Sequence, residues 1–505
     1  MENKNIRVRF APSPTGGLHL GGVRTVLFNY LFAKQHQGSF IVRIEDTDQT
    51  RFVAGAEQYI FDCLQWCGLT PDESTVNGGP FAPYRQSERK AIYKQYALEL
   101  IEKGYAYYAF DTPEQLEEKR KGVPNFQYNH QTRRQCTNSL TLSSEVVLQK
   151  LANNTPYVIR IKMPENETVT CHDMIRGTVD FNTGLSDDKA LLKADGMPTY
   201  HLAVVVDDFL MQITHAFRGE EWLPSAPIHI LLWKYLFGLD KMPKWAHLPL
   251  ILKPDGNGKL SKRDGERLGF PVFAMDWTDP VTGNTTTGFK ERGFLPEAFV
   301  NMLAMLGWND GSGQEIFSLQ ELIEKFSIKR IHKGGAKFDY EKAKWFNHSW
   351  LQQLPVQHYV ANVKPYFAKA GITITNDAYL HKVMELVKER CQLLPDFVEQ
   401  SSFFFQHPEH IDTASIAGKW NATQQQFFVE LIRNLELATT WDTENLEKDF
   451  KEMAAAHQLK PGELMLPFRI MLVGGKFGPH VFDIAAAIGK AATIHRIKHT
   501  LQLLQ

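Results

Sequence analysis

Two stretches far apart in the chain carry residues fit for one reaction. His19-Leu20-Gly21-Gly22 places a histidine and two glycines at the start of a helical pattern. Lys259-Leu260-Ser261-Lys262-Arg263 supplies a run of cations after the flexible approach Pro254-Asp255-Gly256-Asn257-Gly258. Glycines let a nucleotide come close to the backbone, and backbone N–H groups at a helix start attract anions. His19 could donate to a phosphate oxygen in a transition state. The lysines could neutralise charge developing on triphosphate oxygens. Judged alone, His19 reads first as a helix cap or surface residue, and the second stretch as a basic surface loop. Together they point to nucleotidyl transfer, which needs positioning and electrostatics more than a protein nucleophile.

Arg9, Arg218 and Glu45 stand near these loops in the pattern of elements. Either arginine could hold a substrate carboxylate through two parallel hydrogen bonds, or form an ordinary ion pair with a neighbouring acid. Glu45 could bind an ammonium group or be a plain turn acid.

The elements that must position these residues are legible in part. Ile6 to Phe10 reads as a buried strand, and Ala11-Pro12-Ser13-Pro14-Thr15-Gly16-Gly17 as a tight loop. A helix follows over Val23 to Gln35, then a second strand over Phe40 to Ile44. That is a βαβ unit, which favours a parallel sheet with its ligand site beyond the carboxyl strand ends. Helices are predicted over Ala56 to Trp66, Ser87 to Lys103 and Pro113 to Lys121. Strands are predicted over Tyr157 to Lys162, Val179 to Asn182, Thr199 to Val206, Thr214 to Phe217 and His247 to Leu252, with a helix over Pro227 to Phe237. Asp276 to Arg292, rich in Thr and Gly, reads as an exposed loop. After about Lys344 strand signals are scarce and amphipathic helices dominate.

The predicted fold class is therefore α/β: a Rossmann-type parallel-sheet domain with an α+β insertion and an all-helical C-terminal domain. The expected divisions are 1–104 and 198–258 for the two halves of the sheet domain, 105–197 for the insertion, 259–344 for the region carrying the lysine loop, and 345–505 for the helical domain.

At 505 residues the chain can bury several cores, and its formal net charge of −1 excludes a bulk basic character. A nucleic-acid partner must be held by local patches. One candidate is the stretch from Arg469 to Lys498, where Arg469, Lys476, Lys490, Arg496 and Lys498 face a single acid, Asp483. It reads as a solvated face or a phosphate-contacting one. Cys63, Cys67, Cys136, Cys171 and Cys391 lack zinc spacing and fit reduced cysteines of a cytoplasmic protein. The first residues lack the apolar core of a leader peptide, and no apolar run approaches the roughly 18 residues of a membrane span.

Ala11-Pro12-Ser13-Pro14-Thr15-Gly16 with His19-Leu20-Gly21-Gly22 resembles the first signature of the class I glutamyl-tRNA synthetases of bacterial type. Arg43-Ile44-Glu45-Asp46-Thr47-Asp48, Tyr84-Arg85-Gln86-Ser87-Glu88-Arg89, Tyr200-His201-Leu202-Ala203 and Glu220-Glu221-Trp222 are similar to that family too. So are Lys259 to Arg263, Gly293-Phe294-Leu295-Pro296-Glu297-Ala298 and Phe338-Asp339-Tyr340. The segments keep family order over roughly the first 350 residues. The helical last third resembles the anticodon-binding cage in type and length, and the resemblance implies that the sheet domain is the catalytic domain and that 259–344 is a stem-contact region.

The resemblance implies that glutamate attacks the α-phosphate of ATP, bound with Mg2+, to give glutamyl-adenylate and pyrophosphate. The 3′-terminal ribose hydroxyl of glutamate tRNA then attacks the activated carbonyl. It implies catalytic roles for His19, Lys259 and Lys262, and a glutamate pocket of Arg9, Ala11, Ser13, Glu45, Tyr200 and Arg218. In that pocket Arg9 would meet the side-chain carboxylate, Arg218 the α-carboxylate region and Glu45 the amino group. ATP would lie among His19, Gly21, Gly22, Glu221, Lys259, Leu260, Ser261, Lys262 and Arg263, with Lys262 on the phosphates. No protein-held metal, no structural zinc and no membrane are expected, and the family expectation is a monomer.

Four departures accompany the resemblance. Gly22 stands where most class I synthetases end the first signature with histidine, as a glycine often does in this branch. Val204 stands where a polar Asn is expected near the glutamate pocket. The Asp276 to Arg292 loop is longer than usual, and no Cys/His zinc cluster is recognisable over Tyr105 to Cys136. Whether glutamine tRNA is also charged stays open. A small-molecule nucleotidyltransferase is the alternative from another class, but it has no need of a helical last third. A non-catalytic tRNA-binding relative is disfavoured by intact His19, Lys259 and Lys262. A truncated paralogue that glutamylates a modified tRNA base is disfavoured by the chain length.

Overall fold

The computed structural model describes residues 5–122 and 126–504. Residues 1–4, read above for a leader, lie outside the described residues. In chain order the elements up to the lysine loop are β1 (Arg7–Phe10), α1 (Leu20–Gln35), β2 (Ser39–Val42), α2 (Ala56–Trp66) and α3 (Lys90–Glu102). Then come β3 (Ala106–Ala109), α4 (Pro113–Gly122), α5 (Ser144–Ala152), β4 (Val158–Ile161), β5 (Thr168–Asp173), β6 (Gly177–Asn182) and β7 (Ala190–Leu192). They are followed by α6 (Tyr200–Leu210), β8 (His215–Gly219), α7 (Ala226–Leu236), β9 (Lys244–Leu248), β10 (Ile251–Leu252) and α8 (Lys262–Leu268).

Among the described residues a six-stranded sheet runs β2-β1-β8-β9-β5-β6. Every neighbour pair is parallel except β5 with β6. The register sets Arg7 opposite Ser39 and Phe10 opposite Val42, so the first two strands end level. β1 alternates arginine with apolar residues: Val8 is fully buried and Phe10 nearly so. A buried arginine needs an acid. Arg7 finds Glu73 and Arg9 finds Asp208. In α1, Val23, Val26, Leu27 and Leu31 repeat at helical spacing and are fully buried.

The hairpin β5–β6 lies within the segment read as an insertion, yet it joins the edge of the main sheet through Asp173 opposite Trp245. The other strands of that segment form a separate antiparallel sheet, β3-β4-β7.

One predicted strand is a helix. Thr199 to Val206 reads as strand because of Val204, Val205 and Val206, but the residues fold as α6, capped at Thr199. They are buried in a core shared with α3, α7 and the β4 residues Ile159 and Ile161. A helix covered on nearly every side loses its polar face, so its periodicity vanishes and β-branching alone is a poor guide. The predicted strand His247 to Leu252 is broken at Pro249 into β9 and β10. The Asp276 to Arg292 loop holds a short ladder, Trp277–Thr278 with Thr285–Thr286, and Trp277 is buried against Tyr59. Gly17 permits that packing, since a Cβ there would lie 2.9 Å from the Trp277 ring.

The chain divides into two compact units. One takes in the chain up to Glu291 and Phe299–Tyr340; the other takes in Arg292–Ala298 and the chain from Glu341 onward. Beyond Lys337 no strand occurs among the described residues. In this second unit part of the basic stretch turns inward, while Lys476 and Lys498 stay exposed. Arg496 is buried and donates to the carbonyls of Leu472, Phe403 and Gln406. Arg469 donates to those of Phe477, Gly478 and Pro479, and Lys490 to those of Glu436 and Ala438. Lys498 pairs with Glu436. Arg496, Arg469 and Lys490 thus tie off carbonyls of their own unit, whereas Lys498 keeps the solvated pairing that a charged face predicts.

Candidate active site

The carboxyl ends of β1, β2 and β8 open onto a cleft of about 1030 Å3 in the first unit. Its lining brings together Arg9, Ala11, Ser13, His19, Gly21, Gly22, Glu45, Tyr200, Arg218, Glu221, Lys259, Leu260 and Ser261. Lys262 and Arg263 are not part of that lining.

His19 is the N-cap of α1: its Nδ1 accepts from Gly21 N at 3.2 Å. An accepting Nδ1 leaves the proton of the neutral ring on Nε2. That atom is buried with no partner among the described residues. Burial, and secondarily the charge of Lys259, push the imidazole down to about 4, so it is neutral near pH 7. The cap reading and the donor reading of His19 are both satisfied, one at each nitrogen.

Arg9 sits in β1 and donates through Nε and Nη2 to the two carboxylate oxygens of Asp208, at 3.0 and 3.1 Å. Arg43, fully buried, donates to Asp208 at 2.9 Å and to Glu45 at 3.0 Å. Asp207 accepts from Arg89, Gln86 and Tyr93 behind them. Burial alone would raise the Asp208 carboxyl; Arg9 and Arg43 outweigh it and hold that carboxyl below its ordinary range. Glu45 goes the other way: burial pushes it up against the pull of Arg43 and Arg9. A cation arriving from a ligand would favour its charged form. Glu45 is thus no surface acid, being 7% exposed.

Arg218 comes from β8 and stacks over Trp245, its guanidinium carbon 4.6 Å from the ring centroid. Its Nη1 reaches Tyr200 OH at 3.3 Å, and its Nη2 is buried without a partner among the described residues. Tyr200 packs against Trp222 with centroids 4.4 Å apart. Val204, one turn along α6 from Tyr200, is buried in the apolar core around that helix and is not part of the cleft lining. Valine suits that position, where the side chain is packed among apolar residues.

In the second loop Lys259 Nζ lies 2.6 Å from Glu221 Oε1, an exposed pair at the cleft. Leu260 is buried and anchors the loop. Ser261 and Asp264 close a capping box that starts α8. Lys262, the next residue, faces Glu266 at 3.7 Å on the exposed side of that helix. The segment after α8 returns to the first signature, with Leu20 N donating to Val272 O at 2.8 Å and His19 bridging Phe273. Among the described residues no group of three or more His, Cys, Asp or Glu side chains is placed to hold a metal ion.

The family pattern for tRNA synthetases class I (E and Q), catalytic domain, matches residues 5–345, and one for an anticodon binding domain matches residues 358–501. The chain belongs to the class I tRNA synthetases for glutamate and glutamine. It is 52% identical to a glutamate–tRNA ligase of Flavobacterium psychrophilum, over 99% of this chain and all of the relative. A glutamate–tRNA ligase of Porphyromonas gingivalis is 49% identical over the whole of both chains. The crystal structure of a glutamate tRNA ligase from Elizabethkingia meningosepticum, in complex with its amino acid, superposes with a TM-score of 0.96 at 46% identity. That match covers 99% of this chain and all of the other.

Several residues that shape the synthetase cleft escape a reading of the sequence. Arg43 is visible there only as part of a motif. Asp207 and Asp208 are adjacent acids after an apolar run, and reading that run as a strand hides that both turn inward. Asp173, His229 and His247, buried behind Arg218, carry no spacing signal at all.

Proposed function

We propose that the chain is a glutamate–tRNA ligase. It activates L-glutamate with ATP, carrying Mg2+, to glutamyl-adenylate and transfers the glutamyl group to the 3′-terminal adenosine of glutamate tRNA. One observation carries this reading: Arg218 and His19 line the same cleft, and each keeps a buried nitrogen, Nη2 and Nε2, without a partner among the described residues. A free guanidinium edge suits a carboxylate, and a free imidazole N–H suits a phosphate oxygen. Near-full-length identity to proteins named glutamate–tRNA ligase supports the same reading.

In this reading Arg9 and Arg218 hold the carboxylates of glutamate, Glu45 its ammonium, and Ala11, Ser13 and Tyr200 complete the pocket. His19, Gly21, Gly22, Glu221, Leu260 and Ser261 surround ATP. Lys259, released from Glu221, and Lys262 and Arg263, brought in by movement of the loop, neutralise the phosphates. The helical unit reads the anticodon, and the enzyme acts as a cytoplasmic monomer. The five-part division of the chain given above belongs to this reading.

ATP–pyrophosphate exchange with glutamate, glutamine or no amino acid, each with and without glutamate tRNA, tests it. Exchange that depends on glutamate and on tRNA is expected. Its absence sinks the reading. Charging of glutamate and glutamine tRNAs separates the discriminating from the non-discriminating form.

A further inference from the structure

A guanidinium has five N–H bonds, and an arginine in a protein keeps its proton. Those of Arg218 can be accounted for one by one. Nε donates to His247 Nε2 at 2.8 Å. Nη1 has two hydrogens and two partners, Tyr200 OH at 3.3 Å and His229 Nδ1 at 3.2 Å. The two hydrogens on Nη2 remain, buried and without a partner among the described residues.

This arrangement fixes both imidazoles. Each nitrogen facing Arg218 must accept, so it carries no proton. His247 then has its proton on Nδ1, where Asp173 Oδ2 accepts it at 2.6 Å. Asp173 is itself held by the backbone N–H groups of Ile175, Arg176 and His247. His229 has its proton on Nε2, 3.1 Å from His201 Nδ1, which in turn must accept. Asp173, His229 and His247 are buried. Protonation of either histidine beside Arg218 would set cation against cation. Burial, with Arg218 adding to it, holds His229 far below its ordinary value. Burial lowers His247 as well, against the opposing hydrogen bond to Asp173.

We propose that His247, backed by Asp173, and His229 are positioning residues: neutral acceptors of fixed tautomer that set the rotation of the Arg218 guanidinium so that Nη2 meets a carboxylate of the amino acid. None of the three lines the cleft. They act through Arg218, and the proposal rests on the reading of Arg218 as a carboxylate-binding group. The arrangement also serves selectivity for an anion, since only a charged acceptor compensates well for burying two unpaired guanidinium hydrogens.

The test uses the full-length protein in pyrophosphate exchange at saturating glutamate tRNA. His247→Leu removes the acceptor and is expected to raise the KM for glutamate about tenfold or more, with the KM for ATP unchanged. His247→Gln, whose amide oxygen can accept where Nε2 did, is expected to recover most of that loss. In an Arg218→Leu background His247→Leu adds nothing further, because the two act as one unit. If Arg218→Leu leaves glutamate KM unchanged, the carboxylate reading fails and the proposal with it. If Arg218→Leu raises it and His247→Leu does not, the positioning role alone is overturned. An equal rise for glutamate and ATP marks a structural role and also overturns it. Should His247→Leu fail to fold, His247→Gln and the wild-type tautomers decide. Nitrogen-15 histidine spectra are expected to show His247 protonated on Nδ1 and His229 on Nε2. The opposite tautomers, or a His247→Gln variant as impaired for glutamate as Arg218→Leu, overturn the proposal.

Discussion

Arg9 and Asp208 meet side-on through two hydrogen bonds of 3.0 and 3.1 Å, joining a residue in β1 to one in α6. The ion pair and the ligand site are alternatives for Arg9 in the sequence; in the folded chain the pair orients the arginine that lines the cleft. Asp208 also accepts from Arg43, so it neutralises two buried cations. Asp208→Asn keeps the shape and removes the charge. Breaking a buried pair of this kind costs about 3–5 kcal/mol. The expected result is a lower denaturant midpoint and a raised KM for glutamate with little change in that for ATP. Pyrophosphate exchange at varied glutamate checks it, and an unchanged glutamate KM would detach Asp208 from the pocket.

The two lysines of the second loop start from different places. Lys259 rests on Glu221 at the cleft, and Lys262 rests near Glu266 outside its lining. Lys262→Ala is expected to slow adenylate formation about tenfold or more, as loss of a donor to developing charge does. Glu266→Gln, which removes only the resting partner, is expected to leave that rate alone. Both pairs are exposed, so neither change should move the melting temperature much. Single-turnover formation of adenylate is the measurement; full speed in Lys262→Ala takes Lys262 out of the site.

Acid should unfold the first unit through its histidines. Burial, then the charges of Lys244 and His36, lower His215 from 6.5 to about 4. His19 and His201 are lowered to the same value, again chiefly by burial. The folded chain keeps these rings neutral where the unfolded chain binds protons. Their contribution to stability is complete above about pH 6.5 and is lost as pH falls toward 4. His215→Asn can keep the contact to Thr214 but does not titrate. Its melting temperature should fall less between pH 7 and 4.5 than that of the unaltered protein, and parallel curves would contradict the assignment.

Arg496 should matter to folding rather than to charge. Arg496→Met leaves the carbonyls of Leu472, Phe403 and Gln406 without their donor, at a cost of at least about 2 kcal/mol. Chemical denaturation reads that loss. The salt dependence of tRNA affinity is expected to keep its slope, whereas loss of a phosphate contact would lower it by about 1.

Legible in the sequence are the βαβ start, the two loops of the cleft, the helical last third and thirteen of the residues that line the cleft. These follow from local signals: glycine and proline in tight loops, short-range periodicity, and cations gathered in one run. The features set on folding depend on residues far apart in the chain. Val204 to Val206 form a helix because other helices and strands cover them. Arg469, Lys490 and Arg496 turn inward because carbonyls elsewhere in their unit need donors. Asp173 and His247, brought together by neighbouring parallel strands, stand behind Arg218. Hydrogen-bond satisfaction in a buried core is set by packing, and neither residue type nor spacing reports it before the chain is folded.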